Sequence, residues 1–193
     1  ASGSSVGDNY GPILASLRHT LPGEIKGKRI AVPGKLTTAY LALRLYEPDF
    51  EEVVMPFDQI LEAVAGKSVD FGLVIHEGQL TYGNLGLKQV LDLGKWWRTK
   101  YNLPLPLGAN VLRRDLSPEI KSECARLMRE SIQYALDHRE EALNYAMQFA
   151  RDTEPSLADK FVGMYVNHHT ADCGEDVPKA AQLILDLGYE AGI

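Results

Sequence analysis

The sequence predicts an α/β protein in two parts, and three features of its 193 residues predict it. Strand and helix signals alternate from Lys28 onward, which implies a mostly parallel sheet with right-handed crossovers. Within that stretch, the apolar run at residues 71–75 stops abruptly at His76-Glu77, as a buried strand does when it delivers side chains to a ligand crevice. Beyond Leu103-Pro-Leu-Pro-Leu-Gly108 the pattern becomes almost purely helical, and each proline there pushes its predecessor into extended backbone. Residues 28–104 are therefore expected to form one β-α-β-α-β lobe, and residues 1–27 with 105–193 a helix-rich second lobe.

Composition bounds the function. With 45% hydrophobic residues the chain can bury a sizeable core as one domain or two small ones. A formal charge of -6, with Lys and Arg scattered among acidic residues, argues against a nucleic-acid or anionic-membrane surface. No apolar run reaches spanning length, and no signal-peptide pattern is visible in a chain that opens at Ala1. Two cysteines are too few for a disulfide framework, and Cys124, in a helical apolar pattern, is expected as a small core residue rather than a reactive thiol.

Taken in order, the Gly- and Ser-rich residues 1–11 read as loop. Gly3-Ser-Ser-Val-Gly7 fits G-x-S-x-G, but a nucleophile elbow needs a strand before the serine and a helix after it, whereas Asp8-Asn-Tyr-Gly-Pro12 follows. Short strands are expected at 13–17 and 29–32, joined by a turn at 21–27. Pro33-Gly-Lys-Leu leads to Thr37 as N-cap of a helix running to Tyr46, and such a start offers unpaired N–H groups to a carboxylate or phosphate, or simply caps the helix. A strand at 51–55, a helix at 57–65, the strand at 71–75, a strand at 87–93 and a helix at 95–101 complete the alternation. Trp96 and Trp97 are consecutive, so one packs on the sheet while the other lines a cleft or meets solvent. After a strand at 107–112, helices are expected from the Ser117-Pro118 cap to Leu136, then at 140–150, 157–166 and 177–187. Strands 13–17 and 107–112 are all that these helices have to lie on.

His76 is the candidate reactive group, because a histidine's ordinary pKa of about 6.5 makes it the side chain most easily poised as acid or base near neutrality. The alternative is a histidine that merely caps the sheet or bonds a neighbouring carbonyl. His76-Glu77 does not open a zincin motif, since Leu80 stands where a second histidine is required. His168-His169 with Asp172 and Cys173 imitates a ligand set, but adjacent histidines diverge and no second cluster completes a tetrahedron. His19 and His138 sit in a turn and near a helix C-terminus, and neither a dinucleotide fingerprint nor a Walker motif occurs.

Four runs together carry a family resemblance: Arg29-Ile-Ala-Val-Pro-Gly34 with Thr37-Thr-Ala-Tyr40, Gly72-Leu-Val-Ile-His-Glu-Gly78 with Leu80-Thr-Tyr82, Val90-Leu-Asp-Leu-Gly94 with Trp96-Trp97, and Leu103-Pro-Leu-Pro-Leu-Gly108. In order and spacing, over nearly the whole chain, they resemble the menaquinone-biosynthesis family that includes 1,4-dihydroxy-6-naphthoate synthase. The resemblance implies a type 2 periplasmic-binding-protein-like fold, two α/β lobes around a central cleft, with the first lobe incomplete in this chain for want of the family's further N-terminal segment. It implies conversion of cyclic de-hypoxanthine futalosine to 1,4-dihydroxy-6-naphthoate, with His76 as catalytic base and a small-molecule carboxylate held by Thr37, Thr38 and Ala39, and with Ser2 or Ser4 as further contacts. No metal and no organic cofactor is expected, nor a nucleic-acid or membrane partner. The enzyme reading goes with a cytoplasmic protein; a non-catalytic solute-binding protein of the same fold, periplasmic in location, is the alternative. Four helices with few strands are expected to leave apolar surface exposed, which calls for a homodimer or a second chain completing lobe one.

Overall fold

The computed structural model describes residues 2–149 and 154–193. Its strands are β1 (Ser4–Gly7), β2 (Ile13–Ser16), β3 (Arg29–Val32), β4 (Glu51–Val54), β5 (Phe71–Val74), β6 (Lys88–Asp92) and β7 (Leu105–Ala109). The helices of the β-α alternation are α1 (Thr38–Tyr46), α2 (Ile60–Ala65), α3 (Gly78–Thr81) and α4 (Leu93–Tyr101). Then follow α5 (Pro118–Asp137), α6 (Arg139–Met147), α7 (Pro155–Tyr165), α8 (His168–Ala171) and α9 (Asp176–Glu190). The expected end of the second long helix at Ala150 lies outside the described residues, where α6 has already closed at Met147. Among the described residues no helix is long and apolar enough to cross a membrane.

Five strands form one sheet in the order β4-β3-β5-β2-β6. β3 runs parallel to β4 and β5, while β2 is inserted antiparallel between β5 and β6. This corrects two expectations at once: the sheet is mixed rather than mostly parallel, and Ile13–Ser16 belongs to the larger sheet rather than to the helix-rich lobe. The cause is burial on both faces. All four β2 residues are buried, which a central strand permits and an edge strand does not. Even the polar Ser16 is satisfied there, its hydroxyl donating to the Asp70 carbonyl at 2.7 Å.

Alternation along these strands divides the core. Leu14, Ile30, Val32, Phe71, Leu73 and Leu91 pack with Leu43 of α1 and Trp97 of α4, while Ile13, Ala15, Ala31 and Val74 pack with Ile60 and Val64 of α2. Trp97 is fully buried, its indole N–H donating to the Pro104 carbonyl at 3.1 Å, whereas Trp96 is half-buried with its ring edge-on to Tyr46. The last helix departs from its expected lobe: Ile184 of α9 enters the same cluster as Leu43 and Trp97, so the C-terminus returns to cover the five-stranded sheet.

A second, two-stranded sheet pairs β1 antiparallel with β7. Residues expected as loop thus include a strand, because β7 supplies backbone partners that no local signal announces and Val6 buries itself against Cys173 and Val177. β7 itself begins at Leu105, ahead of the expected 107–112, and contains Pro106. A proline cannot donate to a ladder, and here the register shifts between Ser5 and Val6, the residue paired with Pro106. No described side chain of α5, α6 or α7 is buried, and Ile120, Leu127, Tyr134, Tyr145 and Phe149 are exposed, since two strands offer too little sheet for those helices.

The two parts meet at the first crossover. A Cβ on Gly94, at the start of α4, would stand 1.9 Å from the Tyr10 carbonyl oxygen and 2.6 Å from the Gly11 nitrogen, so only glycine lets the crossover lie on the helix start. Gly94→Ala should therefore cost on the order of 3 kcal/mol in urea unfolding, because both clashing groups are backbone and cannot turn aside. Gly23→Ala, where an added Cβ meets nothing within 4 Å, should stay within about 0.5 kcal/mol of the parent; equal effects of the two would show that the close approach does not constrain the fold.

Candidate ligand cleft

β3 and β5 are hydrogen-bonded parallel neighbours, so their carboxyl ends fall side by side and the segments that leave them share one site. From β3 the chain turns through Pro33 and Gly34 into α1. Thr37 is the N-cap: its hydroxyl oxygen accepts from the Tyr40 N–H at 3.2 Å and donates to the Gly34 carbonyl at 2.8 Å. That leaves the amides of Thr38 and Ala39, first-turn positions with no intrahelical partner, at a helix end of partial positive charge. The Thr38 hydroxyl reaches the Leu107 carbonyl of β7 at 3.5 Å, from one wall of the cleft to the other.

From β5 the chain passes Ile75 to His76, whose φ of 56° is left-handed. For a residue with a Cβ that conformation costs on the order of 1–3 kcal/mol, and such strain persists only where neighbours over-determine it. The imidazole lies 4.7 Å from the Phe57 ring and 6.5 Å from that of Phe161 on α7.

These pieces line one cavity of about 510 Å³, with Thr37, Thr38, Ala39 and His76 on one wall and Ser5, Leu107, Phe161 and Tyr165 on the other. Its volume lies in the usual range for small-molecule sites. Pro12, Ile75, Leu107 and Phe161 give it apolar flanks, so it suits a flat apolar ring whose anionic substituent meets the amides at one end. Tyr165 adds a hydroxyl. Burial pushes its phenol up to about 12, so it stays protonated at neutral pH. Beneath the crossover, burial likewise raises the Asp92 carboxyl, although the amides of Lys95, Gly94 and Gly11 face it and pull the other way.

The serine expectation needs correction. Ser4 is buried and its hydroxyl donates to the His169 carbonyl at 2.7 Å, away from the cleft. The next residue along the strand, Ser5, lines the cleft instead, and Ser2 is not among the lining residues. Ser5 sits inside β1, not on a strand-to-helix turn, which disposes of the nucleophile elbow. His169 lies with Nε2 3.7 Å from an Asp8 carboxylate oxygen, and among the described residues no three His, Cys, Asp or Glu side chains converge as a metal site. Sequence reading missed Ser5, Phe57, Gln79, Phe161 and Tyr165. The i, i+4 spacing of Phe161 and Tyr165 on one helix face was the available signal, and it looks the same in any amphipathic helix.

A family model described as menaquinone biosynthesis matches residues 1–190. The chain is 40% identical over 197 residues to the 1,4-dihydroxy-6-naphthoate synthase of Streptomyces coelicolor, covering 99% of this chain and 69% of that protein. It is 42% identical over 179 residues to the enzyme of the same name from Thermus thermophilus, covering 93% of this chain and 65% of that protein. The chain thus spans about two thirds of the length of these curated relatives. A crystal structure of an Archaeoglobus fulgidus protein, 47% identical, superposes with a TM-score of 0.93 over all of this chain and 72% of its own. The alkanesulfonate-binding protein SsuA of Xanthomonas axonopodis, only 14% identical, matches with a TM-score of 0.68 over 98% of this chain and 68% of that one, which shows a shared periplasmic-binding-protein-like fold and nothing finer. By its family match and by its identity to both synthases over nearly its whole length, this chain is a member of the menaquinone-biosynthesis family.

Proposed function

We propose that the protein acts as a 1,4-dihydroxy-6-naphthoate synthase, a lyase-type enzyme that converts cyclic de-hypoxanthine futalosine to 1,4-dihydroxy-6-naphthoate with His76 as general base. The observation that carries this reading is the joint lining of one apolar-flanked cleft by an imidazole and by the amide-rich start of α1. The ring-borne carboxylate of the substrate is held by the Thr38 and Ala39 amides and the Thr37 cap, which fixes the fused rings between Ile75 and Phe161. The imidazole of His76 then takes the proton of a ligand hydroxyl; the oxygen pair forms a C=O bond as the adjacent carbon–carbon bond breaks, the carbonyl fragment departs, and the pair of the broken bond stays on the ring carbon, which takes up a proton. Closure of the two walls keeps water from that step. Proton abstraction of this kind draws on a side chain alone, so the reading calls for no metal and no organic cofactor.

A second reading is supported by the fold shared with a sulfonate-binding protein: the cleft takes up a small organic anion and releases it unchanged, with His76 serving as a hydrogen-bond donor. The two readings part on turnover.

His76→Asn tests the base. Asparagine tolerates the left-handed conformation, so the variant should fold as the parent does. Turnover of cyclic de-hypoxanthine futalosine should fall roughly a hundredfold or more, the scale expected on losing a positioned proton-transfer group, while 2-naphthoate binds nearly as before. Full turnover by the variant would rule out the base assignment, and binding without conversion by the parent would favour the solute-binding reading.

Thr37→Val tests the anion end. Loss of the cap should lower stability by about 1 kcal/mol and weaken 2-naphthoate, measured by calorimetry, by roughly 2- to 10-fold. An unchanged affinity for 2-naphthoate would place the carboxylate elsewhere.

A further inference from the structure

We infer that Gln79 is a positioning residue that fixes the cleft histidine, by clamping the left-handed backbone of His76 and tying it to the opposite wall through Tyr165. This rests on the role proposed for His76 above.

Gln79 is 9% exposed, in the first turn of α3 directly after the histidine. A glutamine is seldom so buried unless its amide is fully paired. In the orientation that pairs donors with acceptors, its NH2 donates to the Gly11 carbonyl at 2.6 Å, and its oxygen accepts from the His76 backbone N–H at 3.3 Å and from the Tyr165 hydroxyl at 2.8 Å. The Gln79 backbone N–H in turn donates to the His76 carbonyl at 3.2 Å. Residue 76 is therefore held at both of its peptide groups by residue 79, a reciprocal arrangement of the kind a capping box makes three residues apart.

That arrangement answers the question the φ of His76 raises. A left-handed residue with a Cβ relaxes unless something holds it, and the Gln79 oxygen is a partner of the His76 backbone amide. The same amide group joins three segments. Gly11 belongs to the first crossover, seated on Gly94, and Tyr165 belongs to α7, which also presents Phe161 to the cleft. Gln79 thus sets the imidazole relative to both the crossover and the far wall, without itself offering a reactive group. Removing its polar end leaves three groups, an N–H, a carbonyl and a hydroxyl, without that partner.

The test compares the parent with Gln79→Leu, Gln79→Met and Gln79→Glu, the last keeping an acceptor oxygen for the His76 amide. Hydrogen exchange of the His76 amide and the Cε1–H signal of its ring are followed by NMR, beside kcat and KM for cyclic de-hypoxanthine futalosine. The apolar variants should exchange the His76 amide about tenfold faster, the loss of one hydrogen bond, and should shift its ring signal. Their kcat should fall roughly 10- to 100-fold, the penalty of a displaced catalytic group, with KM changed by less than about threefold. Gln79→Glu should restore slow exchange and part of kcat. Unchanged exchange and an unmoved ring signal in both apolar variants, or no recovery in Gln79→Glu, would overturn the inference. A parent without turnover would instead defeat the functional reading, while the exchange and ring measurements still decide whether Gln79 positions His76.

Discussion

The crossover at Tyr10 and Gly11 rests on the bare backbone of Gly94, and the geometry of the cleft depends on that contact. It brings the start of α4 against the segment that leads from β1 to β2, so the two-stranded sheet cannot drift from the five-stranded one. Gly11 is gripped from both sides, with its amide facing the half-buried Asp92 carboxylate and its carbonyl accepting from Gln79. Close packing of backbone on backbone has little give, which is why this junction can carry strain to a site. The strained residue, His76, is one hydrogen-bonded group away.

From that junction the site follows by strand geometry. β3 and β5 end together, so the α1 cap and the histidine turn become neighbours although about forty residues of chain separate them. The one contributes donors and partial positive charge, the other an imidazole, with apolar residues lining the cavity between them. A helix end alone is an ordinary anion site, and a histidine alone is an ordinary strand end. Joined across one cavity with Phe161 and Tyr165 opposite, they set hydrogen-bond donors and an imidazole along one lining.

The parts of this site legible in the sequence were the local ones. Thr37 announces itself because capping is decided within three residues, and His76 because an apolar strand ends on it. The four motif runs marked the family before any packing was known, and the family match agrees with them. What the sequence concealed was pairing across long separations. Ile13–Ser16 looks like any short apolar strand, and only its slot between β5 and β6 puts it in the larger sheet. Ser4 and Ser5 exchange roles because strand phase in β1 is set by β7, about a hundred residues away. Gln79 reads as a routine polar residue until Tyr165 and Gly11 arrive from elsewhere to surround it.

The central claim is that one ligand bridges the α1 start and His76. A crystal structure of the protein with 1,4-dihydroxy-6-naphthoate bound tests it most directly. The account predicts the carboxylate within about 2.7–3.2 Å of the Thr38 and Ala39 amides, and the hydroxylated ring against the His76 imidazole. A naphthoate seated with its carboxylate on His76, or bound outside this cleft, would contradict it.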